Sequence, residues 1–266
     1  MDGAKGGYDV VLKGITTVAE FWFWLLMERF RVEVLAQTAN PQQVIYAAMH
    51  QDYTDGFVYD ERDRFPSEEK CGEIIVNRLL AGNRGHFGCL EHPQIVFNCG
   101  YFPHSVMQQA RTHRVGVSFD VQSYRYTGMQ VIDVADGKKD VEDVFYLRPV
   151  GDYTDRQGKK YHYSAQQRQA DLEWCVEAAK RYKADFKAGM SEEHARGKVP
   201  FDYRQHFVVS FNLRSLLHFL DLRYKKDAQL EIQKLCELMF PHLEAWTPAI
   251  AQWYKENRLG KARLSP

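Results

Sequence analysis

The hydrophobic and polar positions of this chain change period several times. Phe30 to Ala36 (Phe-Arg-Val-Glu-Val-Leu-Ala) alternates, as a strand with one buried face should. Asn40-Pro41 then reads as a helix start, with Asn as cap, Pro in the first turn and Val44, Ile45, Ala48 and Met49 as the apolar face. Pro66-Ser67 opens a second helix that runs to Leu80 and stops at the glycines of Ala81 to Gly85. Pro93 to Phe102 reads as a strand, Pro103 to Arg114 as a short helix, and the polar stretch to Tyr126 as irregular. Residues 144–163 have the outline of a hairpin around the turn-forming Gly151 to Gly158.

In the C-terminal half, Ser164 caps a long amphipathic helix to about Ala188, and Ser191 a shorter one ending before Pro200. Phe207 to Phe211 is strand-like, and Asn212 caps a helix whose Leu213, Leu216, Leu217 and Leu220 share a face. Asp227 caps another helix, and Pro241 is expected to interrupt the last helical region. Few βαβ units can be drawn, so the expected architecture is one α+β domain with a mainly antiparallel sheet flanked by helices. It spans residues 30–266, with 1–29 as an N-terminal extension.

Composition narrows the class. The chain has 266 residues, 45% of them apolar, which suffices for a core and excludes a disordered chain. Lys plus Arg and Asp plus Glu both number 35, and a zero balance argues against a generic nucleic-acid binder. The longest apolar run, Phe21 to Met27, is too short to span a bilayer and lacks the flanks of a signal peptide. Five scattered cysteines without a Cys-x-x-Cys pair fit reduced thiols in a cytoplasmic protein, and no Cys/His cluster has metal-ligand spacing. Gly82-x-x-Gly85-x-x-Gly88 follows a helix rather than a strand, so it is not a dinucleotide fingerprint.

Two segments break the local pattern. Between Gln108 and Tyr126 lie Arg111, His113, Arg114, Ser118, Ser123 and Arg125. Arginine forks, hydroxyls and loop amides together suit a phosphate or carboxylate, while a solvated basic surface accounts equally well for the composition. A Ser123–His113 nucleophile pair is a further reading, although no third orienting group is specified. The second segment, Arg196 to Lys226, holds seven basic and two acidic residues, +7 − 2 = +5, which calls for an anionic partner or a compensating surface. Helical spacing puts Arg214, His218 and Asp221 on one face, with Arg223 pointing elsewhere toward a different ligand group.

These residues carry a resemblance. Arg111-Thr112-His113-Arg114, eight residues, then Ser123-x-Arg125-Tyr126 is similar to the signature of the flavin-dependent thymidylate synthases, the ThyX family. His86-x4-Glu91-His92 resembles the family's upstream block. Arg196-x3-Pro200 and Asn212 through Ile232, including Ala228-Gln229-x-Glu231-Ile232, resemble its downstream block. Together they cover about Phe30 to Phe240 in the family's order.

The resemblance implies reductive methylation of dUMP to dTMP. Methylenetetrahydrofolate would donate the carbon and NADPH-reduced FAD the hydride, in a homotetramer with active sites at subunit interfaces. It implies dUMP contacts from Gln109, Arg111, Asp120, Gln122, Ser123, Tyr124, Arg125 and Arg196, with Ser123 and Arg125 near the phosphate. Arg223 would be the catalytic residue, beside the uracil ring and favouring ionisation at N3. FAD contacts would come from His86, Gly88, Glu91, Arg111, Thr112, His113, Arg114, Asn212, Arg214 and His218. Three departures stand out. Either Arg111 or Thr112 fills the first motif position, Asp120 is one place from the family's acidic residue (here Val121), and His218 replaces a frequent Asn. No cysteine follows a proline, unlike the nucleophile of the folate-only synthases. Two rivals remain: a nucleic-acid module using its arginines on phosphates, and a flavoprotein without turnover.

Overall fold

The computed structural model describes residues 29–81, 86–155 and 157–261, so residues 1–28 of the expected N-terminal extension and the glycine run 82–85 lie outside the described residues. A four-stranded antiparallel sheet organises the rest. Its strands are β1 (Arg31–Gln37), β2 (Gln94–Pro103), β3 (Val117–Val121) and a later strand, Arg204–Asn212, in the spatial order β1, β2, Arg204–Asn212, β3. Alternation puts Val32, Ile95, Phe97, Cys99, Phe207, Val209 and Phe211 on one buried face, and register pairs Phe97 with Val34 and Val209. The opposite face carries Glu33, Asn98, His206 and Asp120, all exposed.

Helices cover the apolar face. Before β2 lie α1 (Pro41–Gln51) and α2 (Glu68–Ile75), and after it α3 (His104–Ala110). After β3, α4 (Met129–Ala135), a small hairpin of β4 (Gly151–Thr154) and β5 (Lys160–Tyr163), and α5 (Ala165–Lys187) build a second cluster around Tyr124, Val131, Phe145 and Tyr182. The strand Arg204–Asn212, now β6, runs into α6 (Leu213–Arg223), followed by α7 (Leu230–Trp246) and α8 (Pro248–Asn257). Leu213, Leu216, Leu217 and Leu220 are all buried as their spacing predicts, against Phe211, Ile232, Leu235 and Ile250 of the same cluster.

Several expectations are corrected. The stretch before Tyr126 is not irregular: Val117-Ser-Phe-Asp-Val is a period-two strand paired with β6, followed by a helical turn, Tyr124–Thr127. The hairpin is shorter than its outline. Phe145 and Tyr146 go to the core, and Asp155 turns the chain by accepting from the amides of Gln157 and Lys159 at 2.9 and 2.8 Å. Asn40 precedes α1 in the left-handed conformation (φ 47°) and makes no side-chain cap, and Ser191 makes none either. The helix expected from Asp227 begins after Gln229. Pro241 does not interrupt α7. Burial of Met239, Phe240, Leu243 and Trp246 offsets the roughly 3 kcal/mol that an interior proline costs, and the break falls at Thr247-Pro248.

Candidate active site

A cleft of about 520 Å³ opens where the start of β3, the helix α6 and the segment before β2 meet. Its walls are Glu91 from that segment, Thr112 to Val115 and Val117 from the loop into β3, and Arg214, Ser215, His218, Leu222 and Arg223 from α6. The loop is clamped to the start of α6. Asn212 caps the helix by accepting from the Ser215 amide at 2.8 Å, and the Ser215 hydroxyl donates to the Val115 carbonyl at 2.7 Å. Between them Gly116 sits at φ +64°, where a Cβ would come within 2.2 Å of the Asn212 amide nitrogen, so only glycine closes this joint.

Arg223 is the hub of the cleft. Its Nε donates to His113 Nε2 at 3.1 Å, and its Nη2 donates to the Thr112 hydroxyl at 2.9 Å and the Gln109 carbonyl at 3.2 Å. A ring nitrogen that accepts is unprotonated, so the neutral His113 carries its hydrogen on Nδ1. Burial, then the charges of Arg223 and His218, pull its pKa down to about 4. The His113 ring also stands edge-on to His218 and Phe219, with centroids 5.3 and 5.0 Å away. Across the cleft Arg214 pairs with Glu91 at 2.6 Å. Three guanidiniums (Arg114, Arg214, Arg223) against one carboxylate make this a cationic wall, with Val115, Val117 and Leu222 as the apolar lining. His218 Nδ1 is buried with no partner among the described residues.

The site residues expected from the sequence therefore fall in several places. Glu91, Thr112, His113, Arg114, Arg214, His218 and Arg223 line this cleft; Arg223 joins Arg214 and His218 rather than pointing elsewhere. Asp221 leaves that face, being buried and paired with Arg258 at 2.7 Å. His86 and Gly88 line a separate cavity of about 620 Å³ with Tyr46, His50, Arg78 and Cys89. Asn212 is spent on its cap, and Arg111 is exposed outside the cleft lining, where Thr112 stands instead. Gln109 backs onto the cleft and is hydrogen-bonded to Gln229.

Ser123, Arg125 and Arg196 sit at another corner. Ser123 Oγ accepts from the Arg125 amide at 3.4 Å and His113 Nε2 from Arg223, so among the described residues the two are hydrogen-bonded to other groups and not to each other, which goes against the Ser–His reading. Arg125 pairs with Glu193 at 2.7 Å on the helical turn that leads into Arg196. Tyr124 packs its buried ring on Tyr203 at 4.3 Å, and Arg196 bears electrostatically on Tyr203, so these groups share one corner. Gln122 accepts from the His206 amide through its side chain at 3.2 Å, and Asp120 is exposed on β3. Sequence reasoning missed Val115, Val117, Ser215 and Leu222 as walls, although the alternation of Val117 to Val121 was the available signal for where that wall runs.

All five cysteines carry free thiols, and burial raises the pKa of each, to about 11 at Cys71 and about 12 at Cys175. None lines the cationic cleft. Among the described residues no His, Cys, Asp and Glu group could hold a metal ion, and no helix is long and apolar enough to cross a membrane.

Comparison with known proteins identifies the family. The profile of the family described as thymidylate synthase complementing protein matches residues 33–249. Flavin-dependent thymidylate synthases of Haloarcula marismortui and Halobacterium salinarum are each 32% identical, covering 88% and 89% of this chain and 99% and 100% of their own length. The chain superposes on a UMP/dUMP methylase from Streptomyces cacaoi (TM-score 0.69, 20% identity, 89% of this chain and 97% of that one). It also superposes on thymidylate synthase X of Helicobacter pylori (TM-score 0.59, 19% identity, 88% and 100%). With a profile match over most of its length and relatives at this identity, the chain belongs to the flavin-dependent thymidylate synthase family.

Proposed function

We propose that this protein converts dUMP to dTMP by reductive methylation, with methylenetetrahydrofolate as carbon donor and FAD, reduced by NADPH, as hydride source. The observation that carries the reading is the cleft around Arg223, in which three guanidiniums, two imidazoles and apolar walls face one carboxylate. That donor set fits FAD. Arginine forks match pyrophosphate oxygens, the unpartnered buried His218 nitrogen needs a hydrogen-bond partner, and Val115, Val117 and Leu222 offer apolar surface to a ring. Bound FAD would supply the hydride that completes the methyl group, leaving the folate as tetrahydrofolate.

The chain's own residues then divide the work. Arg114, Arg214, His113 and His218 hold the flavin, with Glu91 fixing Arg214 from the other side. Neutral His113 and the Thr112 hydroxyl hold the Arg223 guanidinium in place, so its charge is preorganised for negative charge developing on the uracil ring. Ser123 and Arg125 with Arg196 take the nucleotide phosphate. The Arg125–Glu193 pair is exposed and therefore weak enough for a phosphate to displace. Gln109 completes the nucleotide contacts.

A homotetramer with active sites at subunit interfaces accounts for the scatter of these residues over one chain: a second copy would bring one corner against the other's cleft. The test is purification followed by an absorbance spectrum. Flavin bands near about 370 and 450 nm are expected, and a colourless protein that takes up no added FAD contradicts the reading.

A further inference from the structure

Glu231 lies fully buried in the first turn of α7. Its carboxylate accepts from the Tyr146 hydroxyl at 2.9 Å, from Arg148 Nε and Nη2 at 2.9 and 3.3 Å, and from Gln229 Nε2 at 2.6 Å. A carboxylate so engaged only accepts, which decides the orientation of the next group. Gln229 must turn its NH₂ toward Glu231, because its carbonyl oxygen there would meet another oxygen. The same NH₂ donates to the Ser105 hydroxyl at 3.1 Å, so both of its hydrogens are used. Gln229 Oε1 therefore faces Gln109, and Gln109 can answer only by donating its own Nε2. What remains is Gln109 Oε1, with no partner among the described residues.

We propose that Arg148, Glu231 and Gln229 form a positioning relay that commits Gln109 to presenting a carbonyl oxygen, so that the nucleotide is gripped through one of its own hydrogen-bond donors. The proposal rests on the reading of Gln109 as a nucleotide contact. Apart from its phosphate, dUMP has two donors, the uracil N3–H and the deoxyribose 3′-OH, and either suits this oxygen. The two ends of a glutamine amide are nearly isosteric, so shape alone would not choose between them. Glu231 makes the choice from two side chains away. The relay also ends beside the hub, since the Gln109 backbone carbonyl accepts from Arg223 at 3.2 Å.

The experiment measures binding of dUMP, dCMP (which has no N3–H) and 2′,3′-dideoxyuridine monophosphate to the FAD-loaded protein. The variants are Gln229→Met, Glu231→Gln and Gln109→Ala. Gln229→Met keeps side-chain volume at a half-buried position and retains a test if Glu231→Gln fails to fold. Both relay variants should weaken dUMP binding about tenfold, the order of one hydrogen bond, with FAD content unchanged. The analogue that lacks the gripped donor should bind wild type and relay variants alike, and this identifies the donor. Gln109→Ala should lose as much as Gln229→Met, and the double variant no more than either. Equal losses for all three nucleotides, no loss for any, or additive losses in the double variant would overturn the relay. If Gln109→Ala alone binds dUMP normally, the assignment of Gln109 to the nucleotide fails and the relay's ligand fails with it.

Discussion

Acidification should loosen this fold through one imidazole. His113 is 8% exposed and titrates at about 4 in the folded chain, against 6.5 for an ordinary histidine. Between those two pH values the unfolded chain binds a proton that the folded chain refuses. Stability therefore rises with pH across the window, is complete above pH 6.5, and is lost as pH falls toward 4. A gap of about 2.5 units at ~1.4 kcal/mol per unit corresponds to about 3 kcal/mol. Burial is the largest cause and the Arg223 charge the second, so Arg223→Met should recover a minority of the effect. Urea unfolding at several pH values between 4 and 7.5, on wild type and His113→Asn, isolates this group. The wild type should lose about 3 kcal/mol more than the variant over the window. Parallel pH profiles would refute the burial argument. The same protonation puts a cation beside Arg223 and removes the acceptor for its Nε, so flavin affinity should fall in the same range.

Arg223→Ala should lower thymidylate formation by about 10²–10³-fold, the cost of one preorganised charge, while the protein stays yellow; near-normal turnover would remove Arg223 from the chemistry. A folded variant without the five cysteines should keep its turnover, since every thiol is held protonated; a covalent adduct between dUMP and any protein side chain would contradict this. Gly116→Ala should disturb the loop and the cap of α6 together, because its Cβ would meet Asn212 and Ser215 within 2.4 Å, and loss of flavin with residual helicity is the expected signature in absorbance and circular dichroism. A chain beginning at Met27 should keep its flavin and its oligomeric state, as the family match begins at residue 33; light scattering and absorbance check both.

Elements with a strong local signal were legible. The four leucines of α6 predict its buried face and Asn212 its cap; Ser164 and Gln167 form a full capping box for α5. Strand β3 was obscured because its alternation is embedded among arginines, and strand identity there depends on pairing with β6, more than 80 residues away in sequence. The course of α7 through Pro241 depends on tertiary burial that local propensity does not contain. At the site, the arginines and histidines stood out in the sequence, and seven of the expected residues line one cleft. Their division between a cleft, a separate cavity and the corner of Ser123, Arg125 and Arg196 was not legible, since it arises from how the loop 112–117 is clamped onto α6. Glu231 was visible only as part of a motif, and its role depends on contacts to Tyr146 and Arg148 that spacing cannot supply.

The most direct test of the central claim follows the products when the FAD-loaded protein is given dUMP, methylenetetrahydrofolate and NADPH. The account predicts dTMP together with tetrahydrofolate, and no dTMP when NADPH is left out, because the hydride comes through the reduced flavin. Formation of dihydrofolate, or dTMP made at the same rate without NADPH, would contradict it.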